Sequence, residues 1–94
     1  MALATGKLYS VKASTSQQIG KTARLELKGS PLSITVYGSE DPQTSVANMT
    51  PCTDELTESS YYTLDTLPTY IAFIGTATRI NISGYDLTLI RDIS

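Results

Sequence analysis

The chemistry open to this chain is set first by the side chains it lacks. Its 94 residues include no histidine and a single cysteine, Cys52. Acyl transfer by a Ser–His or Cys–His pair needs an imidazole base, so that chemistry is excluded. A Ser–Lys pair remains formally open, but no spacing brings a particular serine to a particular lysine. Asp54, Glu55, Glu58 and Asp65 could supply the two carboxylates of a glycoside hydrolase. A domain this small offers little room for a sugar cleft with both groups aimed inward, so a solvated acidic loop is the expected reading. Zinc finds neither imidazole nor a set of thiolates. Calcium would have to use Glu40-Asp41 or Asp54-Glu55, and neither pair has a recognised loop spacing. The glycines are scattered singly, which removes a phosphate-cradling loop. No catalytic, cofactor-binding or metal-ligating residue is assigned, and the chain reads as a non-enzyme.

Binding chemistry is better represented. Tyr9, Tyr37, Tyr61, Tyr62, Tyr70 and Tyr85 each offer an apolar ring and a polar tip. Such residues either cap the rim of a thin core or form a surface for a sugar or a partner. Tyr37 is out of phase with Leu32, Ile34 and Val36, which makes it the expected exposed one. Cys52 reads as a small buried hydrophobe or an idle thiol.

The formal charge of −2 conceals a division along the chain. Residues 1–28 hold Lys7, Lys12, Lys21, Arg24 and Lys28 against Glu26 alone, a net of +4. Residues 29–78 hold Glu40, Asp41, Asp54, Glu55, Glu58 and Asp65 with no base, a net of −6. These are either solvated faces that happen to segregate or complementary patches that meet on neighbouring copies. So few bases in an acidic chain argue against a direct nucleic-acid partner. No apolar run approaches the roughly 18 residues of a membrane span, so no membrane partner is expected either.

One cysteine permits no intrachain disulfide. Residues 1–7 show no charged leader followed by an apolar stretch, so synthesis in a cytosol is expected. Two sequons, at Asn48 and Asn81, are expected by chance among 14 Thr and 11 Ser.

The elements that must position these groups are strands, because period-two alternation dominates. Strands are expected over 7–12, 22–28 and 32–36, the last two joined by Gly29-Ser30-Pro31 as a hairpin or corner. The segment 38–60 is irregular, with a short strand at 45–49 and a loop over 50–59. Further strands are expected at 61–64, 70–74, 78–82 and 85–90, with Gly75-Thr76 as a turn. Tyr70 to Ile74 is apolar on both faces, the mark of a central strand. The fold class is therefore all-β. It is a small antiparallel sandwich or barrel of 7–8 short strands, immunoglobulin-like or jelly-roll-like. One domain spans 1–94, with 1–6 available as an extended arm. The expected core comprises Leu25, Leu27, Ile34, Val36, Ile71, Phe73, Ile80, Ile82, Leu87 and Leu89.

The Thr/Ser-rich strands, the absence of reactive residues and segments such as Ser33–Asp41 and Leu67–Phe73 resemble small β-sandwich proteins of tailed bacteriophage particles. Head decoration (cement) and tail-associated subunits are the relevant kinds. That resemblance implies a virion location, a homo-oligomer, and other virion structural proteins (major capsid or tail proteins) as partners. It implies a subunit that clamps its neighbours through strand edges, and it transfers no site residue. The alternative is a carbohydrate- or surface-binding β-module working through exposed tyrosines.

Overall fold

The computed structural model describes residues 3–65 and 67–93. Eight strands form: β1 Lys7–Ala13, β2 Ala23–Lys28, β3 Ser33–Ser39, β4 Thr50–Pro51, β5 Ser60–Leu64, β6 Tyr70–Thr76, β7 Arg79–Ser83 and β8 Tyr85–Asp92. They assemble into two antiparallel sheets, a five-stranded one ordered β4-β3-β6-β1-β8 and a three-stranded one ordered β5-β2-β7. Neither sheet closes on itself, and the two pack as a sandwich. The only helical pieces among the described residues are single 3₁₀ turns at Ser16–Gln18 and Val46–Asn48.

The alternation in the sequence explains the packing directly. In β2 the odd positions Ala23, Leu25 and Leu27 are buried, whereas Arg24 and Lys28 stand in solvent. In β3, Ile34 and Val36 face inward against Ile71 and Phe73 of β6, Tyr9 of β1 and Leu87 of β8. Ile80 and Leu64 complete the layer from the other sheet, and Leu3 joins it by bridging to Ile80.

A second, smaller cluster lies on the opposite face of the larger sheet. Leu8, Ala72 and Ile93 are buried there beneath Met49, with Tyr37, Val46, Tyr70 and Ile74 at its margin. Central β6 is thus apolar on both faces because both faces are covered, as its composition predicts. The cover is the irregular segment. Arg91 holds it down by donating from its guanidinium to the Pro42 and Thr44 carbonyls.

Several expectations are corrected. Of the hairpin and the corner expected between β2 and β3, it is the corner that forms. Gly29-Ser30-Pro31 is a corner that carries the chain from one sheet to the other. The strand expected at 45–49 is a 3₁₀ turn, and the true strand, two residues long, follows at Thr50–Pro51. Leu56, in the expected loop, makes an isolated bridge to Ile34. Gly75-Thr76 is not a turn but the end of β6, paired with Ile34 and Ser33. Tyr37 is half-buried at the second cluster rather than free. Ile82 is only half-buried, and Leu89 is exposed.

The exposure of Leu89 has a geometric cause. Three strands at a spacing of about 4.8 Å span roughly 10 Å, and five span about 19 Å. The larger sheet must therefore overhang the smaller. The outermost strands of the larger sheet are the two-residue β4 and the eight-residue β8, and the uncovered margin includes the C-terminal half of β8. Leu87 still reaches the core at 2% exposure, but Leu89, two residues on, is 53% exposed.

Candidate functional site

The free backbone groups of β8 follow from the direction of its neighbour. The Val11 N–H donates to the Thr69 carbonyl at 2.9 Å, so Val11 turns its backbone groups toward the β6 side. Backbone groups alternate along a strand, so Ser10 and Lys12 turn theirs toward β8. There they stand opposite Thr88 and Asp86. A bond from Ser14 N–H to the Gly84 carbonyl at 3.1 Å continues the same series. Tyr85, Leu87 and Leu89 therefore aim N–H and C=O away from the sheet, where no backbone partner lies among the described residues. The regular run stops at a bulge where the register shifts between Leu8 and Tyr9. Beyond it the Ile93 N–H returns to the Gly6 carbonyl at 2.8 Å.

The side chains along this edge are unusually apolar for a solvent-facing strand. Leu89 is 53% exposed and Ile90 43% exposed. Near the Tyr85 end, Ile19 is 71% exposed and helps to line a shallow cleft of about 420 Å³ with Val11, Ala13, Leu67, Pro68 and Tyr85. The Tyr85 hydroxyl lies 2.6 Å from the Lys21 carbonyl and 3.1 Å from that of Gln18, which ties the loop carrying Ile19 to β8. At the far end Lys7 Nζ meets Asp92 Oδ1 at 2.5 Å. The hydrogen bond and the charge of Asp92 hold the Lys7 ammonium pKa above its usual value. In a pair this open to water the contribution to stability is small.

The outer face of the three-stranded sheet is the second polar assembly. Glu26, with a side chain only 15% exposed, accepts from Asn81 Nδ2 at 3.2 Å. Arg79 and Lys28 place their cationic nitrogens 3.6 and 3.7 Å from it. Its cross-strand partner Tyr61 carries the Arg24 guanidinium over its ring, 4.2 Å from the centroid. The Asn81 hydrogen bond, opposed by burial and aided by Tyr61, Arg79 and Lys28, lowers the Glu26 carboxyl below its ordinary 4.5. A carboxylate with a depressed folded pKa stabilises above its unfolded pKa and loses that contribution as pH falls through the folded value. Chemical denaturation of the parent should therefore show stability declining below about pH 4.5. Glu26→Gln should flatten that decline, and an unchanged pH profile would show that these donors do not act on the carboxylate.

Three further acidic residues make structural contacts, two of them to segments distant in sequence. Glu40 accepts from the Thr69 hydroxyl, Glu55 from the Ser33 hydroxyl at 2.6 Å, and Asp41 from the Gln43 N–H at 2.9 Å. Among the described residues, no three acidic, cysteine or histidine side chains converge on one point. Cys52 is exposed rather than a buried hydrophobe, although partial burial pushes its thiol pKa up. Tyr9 is buried, and its hydroxyl accepts from the Ala4 N–H at 2.9 Å. Tyr62 donates to the Glu58 carbonyl at 2.6 Å. Tyr61 is the exposed tyrosine, not Tyr37. The β8 edge was not singled out from the sequence. Its signal was the doublet Leu89-Ile90, where a strictly alternating strand turns apolar at two adjacent positions.

No protein-family model matches this chain, and neither a curated protein nor a solved structure matches it.

Proposed function

We propose that the chain is a non-enzymatic structural subunit of a multi-copy particle, a virion decoration or cement protein that clamps neighbouring shell proteins. The observation carrying this reading is the open β8 edge, with three outward backbone positions beside the exposed Leu89 and Ile90. Soluble proteins normally blunt such an edge, because it templates pairing with another chain. A subunit made to dock has reason to keep it. An added strand contributes main-chain hydrogen bonds, and the alternate side chains set its specificity. Contacts of this size are individually weak, and repetition over a lattice raises the effective concentration of each further contact. The whole-chain resemblance to phage β-sandwich subunits supplies the kind of particle.

The carbohydrate-binding alternative draws less support. Its exposed tyrosine, Tyr61, already carries Arg24 over its ring, and the hydroxyls of Tyr9, Tyr62 and Tyr85 are engaged internally. Proteomic analysis of gradient-purified particles from the source decides between the two readings. A stoichiometric, many-copy subunit is the expected result. Saturable glycan binding by the isolated protein, with no enrichment in particles, would replace this reading with the other.

The charge division supplies a second expectation. Lys21 and Arg24 are exposed, whereas Lys7 is partnered by Asp92, and Lys28 lies beside Glu26. Reversing Lys21 and Arg24 to Glu should reduce incorporation at low salt. The difference should shrink as ionic strength rises, because charges separated by more than about 8–10 Å are screened at physiological salt. Equal incorporation of variant and parent at both salt levels would assign these charges to solvation only.

A further inference from the structure

We infer that the β8 edge pairs with β8 of a second copy, antiparallel about a two-fold axis at Leu87, joining two five-stranded sheets into one. This inference rests on the reading of β8 as the docking edge and names its occupant.

The alternatives among the sheet edges are poorer. β4 is two residues long, and β7 is already capped where the Leu3 N–H donates to the Ile80 carbonyl at 3.1 Å. β5 has five residues, mostly polar. Only β8 combines length, outward backbone groups and exposed aliphatic side chains.

The occupant is argued from self-complementarity. Two copies of an edge related by a two-fold axis must pair antiparallel, and each residue then meets its mirror position in the sequence. With Leu87 on the axis, Leu87 faces Leu87, Tyr85 faces Leu89, and Asp86 faces Thr88. The three outward positions Tyr85, Leu87 and Leu89 fall on mutually hydrogen-bonded pairs, so every outward N–H among them meets an outward carbonyl. The exposed Leu89 side chain gains the Tyr85 ring, an aromatic–aliphatic cross-strand pair of the stabilising kind. The only charge in the paired stretch, Asp86, is set opposite a hydroxyl instead of another carboxylate. Arg91 and Asp92 lie beyond the bulge and outside the pairing. The contact is small, in the class below roughly 1,200 Å², so the dimer is expected to dissociate on dilution.

The register gives a discriminating cross-link. Asp86 and Thr88 of the two copies form a pair without mutual hydrogen bonds, where Cα atoms approach to about 4.5 Å, within disulfide reach. Like positions are diagonal neighbours at about 7–8 Å, at or beyond that reach. In a Cys52→Ser background, mixing Asp86→Cys protein with Thr88→Cys protein under mild oxidation should give a disulfide-linked dimer. Each variant alone should cross-link about tenfold less. Sedimentation equilibrium of the parent should show a concentration-dependent dimer.

Leu89→Pro removes an outward donor while leaving the β1 ladder whole, and it should sediment as a monomer. Leu89→Lys, which asks nothing of the backbone, should do the same. A parent that stays monomeric at high concentration, with no preference for the mixed cross-link, would overturn the second copy as occupant. In that event, loss of particle incorporation by both Leu89 variants would keep β8 as a docking edge for a different chain. Undiminished incorporation would overturn the docking-edge reading itself.

Discussion

Truncating Phe73 to alanine is expected to lower the stability of this protein by about 3–5 kcal/mol. The ring is completely buried and sits on β6, the central strand of the larger sheet. Tyr9 packs against it in a tilted arrangement, with ring centroids 6.3 Å apart and planes at 59°. Removing the ring forfeits the transfer free energy of its carbons. It also leaves a void that neighbours fixed in two hydrogen-bonded sheets cannot collapse to fill. The lost aromatic pair, of the kind worth about 0.5–1.5 kcal/mol, places the expected loss toward the upper part of that range. A domain of this size has roughly 5–15 kcal/mol in all, so the variant should lie near the edge of folding at ambient temperature. Urea titration of parent and variant, compared at equal slope, measures the difference. A loss below about 1 kcal/mol would place Phe73 outside the core that organises the fold.

Gly75→Ala is expected to rank second and to act by the opposite mechanism, collision instead of vacancy. Gly75 has φ +133°, a conformation that side chains strongly disfavour. A Cβ there would run into the backbone carbonyl of Ser33 on the neighbouring strand. The strain and the overpacking are each of order 1–3 kcal/mol, so a combined loss of about 3 kcal/mol is expected. Because Gly75 pairs with Ile34, relief can come only by breaking the β3–β6 ladder near its end. The Ile34 N–H donates to the Leu56 carbonyl on the far side of β3, so the amides that face β6 are those of Ser33 and Thr35, and hydrogen exchange should be faster at these two in the variant. Near-parent stability with unchanged protection would mean that β3 can retreat from β6 without loss.

The contrast between these two positions shows what kind of information a sequence carries. Phe73 lies in an apolar run, between Ala72 and Ile74, and its burial is legible there. Gly75 is legible only as a break, which predicts a turn. Glycine marks either a reversal of the chain or a close approach by another backbone, and only the location of β3 separates the two. The segment 38–60 was misread for a related reason. Met49 is buried on the outside of the five-stranded sheet, with Val46 half-buried against the same cluster. Their partners Leu8, Ala72 and Ile93 are distant in sequence, and no local period relates them.

Alternation by itself determined the class of this protein, the positions of most strands and the inward face of each. Side-chain direction in a strand repeats every two residues and depends on nothing beyond the strand. The missing histidine likewise settled, before any folding, that no imidazole base is available. What only the tertiary structure decided is which strands became neighbours and which became edges. Leu87 and Leu89 are the same residue type, two apart, on one strand, yet one is 2% and the other 53% exposed. Strand pairing is a long-range choice, and a five-stranded sheet laid over a three-stranded one must leave part of itself uncovered. That uncovered margin, invisible in any local pattern, leaves the end of the last strand at the surface, and the proposed function rests on that edge.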